Sequence, residues 1–167
     1  MSRWIVYLQE KQKLNSMEAV LKAWKTSRKL YLDFFDKYNL EHLNLTPPKF
    51  SNNLIWNVGH IIAAQQSIIY KTSNLPINIP DEFFDRYKPG TRPGEPVSQN
   101  EVDEIKFLLI SLISQTESDL ANGKFVSFTE RNTITGFHLG SLQDAFVFNN
   151  YHEGLHLGYM KSIARFV

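Results

Sequence analysis

Residues 97–113 read Val-Ser-Gln-Asn-Glu-Val-Asp-Glu-Ile-Lys-Phe-Leu-Leu-Ile-Ser-Leu-Ile, and they decide the fold class. Ser98 and Glu101 stand at capping-box spacing, so each side chain can satisfy an orphan backbone N–H of a first helical turn. Val97 and Val102 flank them as a hydrophobic staple. Behind this start, Val102, Ile105, Leu108/Leu109 and Leu112/Ile113 return every three or four residues, which lays one buried stripe along a helix. Gly123 follows as a residue able to take the left-handed conformation past the helix end.

The same periodicity recurs on both sides. From Met17 to Tyr38 the stripe is Val20, Trp24, Leu30/Tyr31, Phe34/Phe35 and Tyr38, with Asn15 and Glu18 spaced for a capping box at its start. A further helix is expected to open at Ser51, stapled by Phe50 and Ile55, and to run to about Lys71 before the Asn74-Leu75-Pro76 stop. The last begins at Ser141 or Leu142 and passes through Phe146, Leu155, Met160 and Ile163. No segment alternates as a strand.

Four long helices predict an all-α four-helix bundle, a single domain over residues 15–167. Residues 1–14 precede it as an extension, open equally to a frayed end, an added helical turn or a dimer contact. The connections are unequal, since residues 73–100 hold five of the seven prolines. A connection that long crosses the molecule or covers a site, so the second and third long helices are expected to run parallel. Asp81 to Tyr87 is expected to form one short helix inside it, and residues 124–140 irregular structure over one end.

Composition narrows the function. The 167 residues carry 18 Lys+Arg against 17 Asp+Glu and no cysteine. Disulfide scaffolds, thiolate metal sites and a cysteine nucleophile are excluded by count. A formal charge of +1 lacks the basic excess of nucleic-acid binders. No apolar run approaches the roughly 20 residues that span a bilayer, and the first residues lack signal-peptide features, so a cytoplasmic protein is expected.

The chemistry lies in the histidines. His152 and His156 are four apart, so both leave one face of the last helix and can reach one metal ion; two surface or partly buried histidines have the same spacing. Read literally, His152-Glu153-Gly154-Leu155-His156 is the H-E-x-x-H of zinc peptidases. A peptidase is nevertheless not expected. Those enzymes take a third ligand downstream, and none of the eleven residues after His156 is His, Glu or Asp.

A third ligand must then come from upstream. His60 is the natural one, being an imidazole in an otherwise apolar mid-helix stretch where it needs a partner. Asn53, Asn57, His60, Ala64 and Ser67 follow helical spacing as one polar seam; Asn149, His152, His156 and Tyr159 form another. Two such seams face each other around a shared site or form a hydrogen-bonded core network.

The pairing of N-x-x-W-x-x-G-H-I (Asn53 to Ile61) with N-x-x-H-x-x-x-H-x-G-Y (Asn149 to Tyr159) resembles the DinB/YfiT-like superfamily over about residues 15–167. The resemblance implies a four-helix bundle in which His60, His152 and His156 hold a divalent metal, commonly zinc or nickel. It also implies a frequent homodimer, and transferases or isomerases that use low-molecular-weight thiols such as bacillithiol or mycothiol. Many members have no known activity. Gly154 inside a helix is a departure whose reason is not visible in the sequence.

Three neutral imidazoles would leave a metal's charge uncompensated and a coordination position open. Such an ion lowers the pKa of water to about 7 or binds a thiol as thiolate. With no cysteine in the chain, any reacting thiol comes from solution. Asn57, Asn149, Glu153 and Tyr159 are the candidates to orient imidazoles or bind substrate, with Glu153 expected at the edge of the site or on the surface. His42 and His138 are read as non-ligands. The cations of residues 85–93 read as a rim for an anionic cosubstrate or as an ordinary solvated loop. The competing reading of the whole chain is a non-catalytic dimeric bundle with a structural metal or none.

Overall fold

The computed structural model describes residues 3–167. Its long helices are α1 (Arg3–Lys37), α3 (Leu54–Gln65), α5 (Gln99–Ala121) and α6 (Leu142–Ile163), with short α2 (Leu40–Asn44) and α4 (Asp81–Tyr87) between them. The fold is all-α. The one sheet among the described residues is a two-residue antiparallel ladder, β1 (Arg131–Asn132) on β2 (His138–Leu139).

Two helix starts differ from the sequence reading. Helix α1 does not begin at the Asn15 capping box; it runs through that position from Arg3. No glycine or proline occurs before Pro47, so nothing stops the helix from extending towards the N-terminus. Helix α3 is capped by Asn53 rather than Ser51: the Asn53 backbone is extended and its Oδ1 accepts from Trp56 N–H at 2.9 Å. Phe50 packs its ring against Tyr159 and Phe166.

The remaining boundaries follow local chemistry. Both halves of the Ser98/Glu101 capping box are made, and Val97 and Val102 beside it are buried. Gly123 takes φ +66° just past α5. Ser141 caps α6 by accepting from Asp144 N–H. Helix α3 continues through a π segment (Gln66–Tyr70) and a 3-10 turn (Lys71–Ser73), and Asn74 ends it at φ +58°. Helix α4 occupies the expected place in the long connection.

Hydrogen bonds fix the helix directions. Asn150 donates to Val20 O and Tyr38 to Ala164 O, so α1 and α6 advance together. The start of α5 is tied to the start of α3 through Asn44, which bonds Val97 and accepts from Asn53. Gln65 and Tyr70 meet Thr116 at the other end. Helices α3 and α5 are therefore parallel, as a long crossing connection requires, and the bundle is up-down-down-up.

Apolar burial supplies the driving force. All twelve residues of α3 are buried, so this helix is the central one. A large cluster around Tyr31, Trp56, Ile61, Ile105, Leu109 and Met160 fills one part of the bundle, and a smaller one around Trp24, Ile69, Tyr70 and Phe146 fills the other. Along α1, between Trp24 and Tyr31 of those two clusters, Arg28 is wholly buried and ion-paired with Glu153.

Candidate metal centre

Three imidazoles meet between α3 and α6. One ring nitrogen from each of His60, His152 and His156 lies within 4.8 Å of the other two, and these three form the one such cluster of potential ligands among the described residues. Their ring centroids are 4.6–5.2 Å apart. His60 leaves the buried face of α3, while the four-residue spacing of the other two brings both to the facing side of α6.

Two of the rings are oriented by hydrogen bonds that also fix their tautomers. His60 Nδ1 is 2.8 Å from the carbonyl oxygen of Tyr87; a carbonyl only accepts, so the proton is on Nδ1 and the lone pair on Nε2. His156 Nδ1 is 2.7 Å from Asn57 Oδ1. Asn57 Nδ2 donates to Asn53 O at 2.7 Å and to Asn52 Oδ1, which leaves its oxygen as acceptor and again places the histidine proton on Nδ1. Trp56 stacks on His60 with centroids 4.7 Å apart and planes 12° apart.

Gly59 makes the first of these bonds sterically available. A β-carbon at this position would lie 2.6 Å from Tyr87 Cγ and Cε1, so the ring of Tyr87 fits only over a glycine. With that ring on α3, the Tyr87 carbonyl is brought to His60. Gly154 faces open space, and nothing in the structure explains its lack of a side chain.

The electrostatics suit a cation. Burial depresses the pKa of all three histidines: His60 falls despite its bond to the Tyr87 carbonyl, and His152 falls to about 4. His156 falls to about 3 through burial and the neighbouring His152 and His60. All three are therefore neutral near pH 7. His152 Nδ1 is buried with no hydrogen-bond partner. Neutral rings with converging lone pairs and an unpartnered buried nitrogen are the donor set that a divalent ion satisfies. The residues fit a metal.

The remaining candidates separate. Asn57 orients His156 as described. Tyr159 is half-buried and lines a shallow cleft with Ser51, Asn52 and His156. Asn149 donates to Glu153 Oε1 at 3.0 Å. Glu153 is wholly buried, which excludes a surface position. Its carboxylate also accepts from Arg28 Nη2 at 2.7 Å, Arg28 Nε and Trp24 Nε1, so all its bonds but that of Asn149 run to α1.

Arg28 was not legible as a partner of this motif. It stands in the Trp24–Arg28–Tyr31 stripe, at spacings of four and three, and a cation on a buried stripe is the signal that calls for an acid elsewhere. His42 lies in α2 against Tyr38, and His138 lies beside Asn132 and Glu130, both apart from the triad. In the long connection, Arg86 pairs with Glu101 and Lys88 with Asp85, so these two cations are already neutralised.

A cavity of about 210 Å³ opens beside His60 and His152, lined also by Ser67, Ile68, Leu139 and Phe148. The π segment aims Ser67 and Ile68 into it, and the β1–β2 hairpin forms its other wall. The triad is thus reachable by a small molecule.

An up-down-down-up helical bundle with a three-histidine cluster between its second and last long helices is compatible with holding a metal ion. The chain belongs to the DinB superfamily, whose family pattern matches residues 23–160. No curated protein matches it. No helix among the described residues is long and apolar enough to cross a membrane.

Proposed function

We propose that this DinB superfamily protein is a metal-dependent enzyme in which His60, His152 and His156 hold one divalent ion, zinc or nickel, for transfer or hydrolysis with a low-molecular-weight thiol or water. The observation that carries this reading is the convergence of three neutral imidazoles within 4.8 Å beside an open cavity. Bound there, the ion supplies Lewis acidity that stabilises a thiolate or hydroxide near neutral pH.

The chain's own residues do the rest. Tyr87 O and Asn57 Oδ1 hold two rings in the tautomer that presents Nε2. Trp56 covers one face of the His60 ring, and Ile68, Leu139 and Phe148 give the cavity an apolar wall beside His60 and His152. Glu153, the residue that a peptidase of this motif uses as base, is committed to Arg28 and Trp24. That commitment supports thiol transfer over peptidase-type hydrolysis, because a thiol of pKa about 8.5 needs less help to ionise than water does.

A cytoplasmic setting and a homodimer belong to the same proposal. The exposed Val147, Tyr151 and Leu155 on the outer face of α6 support the latter, and light scattering tests it.

The activity is tested with untagged, metal-loaded protein on a panel pairing bacillithiol, mycothiol and other small thiols with electrophiles. Turnover that is lost on chelation and in His152→Ala is expected. Full metal occupancy with no metal-dependent turnover on any thiol pair or hydrolysable ester contradicts the enzymatic reading and favours a structural metal.

A further inference from the structure

We infer that the cavity beside the histidines binds a small carboxylic acid, with Arg131 as its anion anchor and Ser67 as an additional donor. Arg131, Ile68, Leu139 and Phe148 line this cavity together with Ser67, and no Asp or Glu does. It therefore combines an apolar body with a single, uncompensated cation.

Arg131 differs from the other cations near the site. Arg86 and Lys88 are ion-paired. The adjacent acid, Glu130, is directed to His138 Nε2 at 3.4 Å, and the Arg131 guanidinium has no hydrogen bond or ion pair among the described residues. Its side chain is exposed, while its backbone position is set by the hairpin. In the ladder it stands opposite Leu139, which is buried and is itself part of the cavity wall. The Ser67 hydroxyl likewise has no protein partner among the described residues, whereas Thr133 and Thr135 bond each other.

Size and charge select the ligand class. About 210 Å³ is below the roughly 300–1,000 Å³ of pockets for drug-sized ligands, so a short-chain acid fits and a nucleotide does not. A guanidinium fork matches a carboxylate in two parallel bonds. Ile68, Leu139 and Phe148 then receive the aliphatic chain, whose far end is directed towards His60 and His152. That this acid is the substrate rests on the metal-enzyme reading above; that it binds rests on the cavity alone.

The test is a binding titration, at low salt, of pentanoate against pentanamide, followed by amide NMR shifts. It uses metal-free and zinc-loaded protein in wild-type, Arg131→Gln and Arg131→Lys forms. Wild-type protein without metal is expected to prefer the carboxylate by about tenfold, the scale of one charge-assisted bond at a partly open site. Arg131→Gln removes the preference and Arg131→Lys retains part of it. Equal binding of acid and amide by wild-type protein, or an unchanged preference in Arg131→Gln, overturns the inference. A preference seen only with zinc and surviving Arg131→Gln places the carboxylate on the ion, which overturns the role of Arg131 and leaves the metal site standing. Failure to load zinc removes the metal reading, while the metal-free comparison still decides the acid site.

Discussion

The ring of Tyr87 occupies the space that a β-carbon on Gly59 would need, and the Tyr87 carbonyl accepts the Nδ1 proton of the next residue, His60. One glycine thereby couples a packing contact between α3 and α4 to the orientation of a candidate ligand.

Gly59→Ala sets two effects against each other. Alanine favours a helix interior by about 1 kcal/mol over glycine, while overpacking a closed contact costs about 1–3 kcal/mol. Here the added atom meets ring carbons in a buried setting, so the clash wins and Tyr87 is displaced. The variant is expected to unfold at lower urea and to bind zinc about 10–100-fold more weakly, the usual cost of losing a ligand's hydrogen-bond partner. Competition with a chromophoric chelator reads the affinity; unchanged zinc binding would show that the Tyr87 carbonyl does not hold His60.

Asn57→Leu removes the acceptor for His156 Nδ1 at similar volume. Zinc affinity is again expected to fall by about 10–100-fold, with the helical circular dichroism retained. Restoration of affinity in Asn57→Asp, which keeps an acceptor oxygen, would separate orientation of the imidazole from general packing. Equal affinities in wild type and Asn57→Leu would contradict the role given to Asn57.

The buried pair behaves differently. Glu153→Gln leaves the Arg28 guanidinium without its counter-charge, at a cost of about 3–5 kcal/mol measured by urea unfolding. The double variant Arg28→Met with Glu153→Leu is expected to recover part of that loss, because two charges no longer need solvation in the core. A change below about 1 kcal/mol in the single variant would mean that water reaches Arg28.

In the metal-free protein, His152 and His156 have folded pKa values near 4 and 3, below the roughly 6.5 of the unfolded chain. Between these limits the unfolded state binds more protons, so stability rises with pH. It is full above about pH 6.5 and is lost as pH falls towards the folded values. Urea unfolding from pH 7.5 to 5 is expected to show this fall and to flatten in His152→Asn/His156→Asn. A flat profile in wild type would contradict the buried neutral state.

The parts legible in the sequence are those set by neighbours along the chain. Ser98 and Glu101 cap α5 within four residues of each other, Asp81 to Tyr87 forms its helix, and the two histidines of α6 share a face by spacing alone. His60 was legible because an imidazole among apolar residues requires a partner. What the sequence hid depends on distance. The capping of α3 turned on two asparagines and a serine with similar local chemistry, and packing chose Asn53, whose Nδ2 donates to Asn44 O. The partners Arg28 and Glu153 are 125 residues apart, and neither announces the other. Arg131 sat in a segment read as irregular, so its place in the cavity wall followed only from the ladder with Leu139.

The central claim is that His60, His152 and His156 share one ion. Its most direct test is equilibrium zinc titration of untagged protein, with the bound metal counted per chain, in wild type and in each single His→Ala variant. One ion per wild-type chain, with affinity falling at least about 100-fold in each of the three variants, is the predicted result. Wild-type affinity retained in His60→Ala would contradict it, because the site would then lie on α6 without α3.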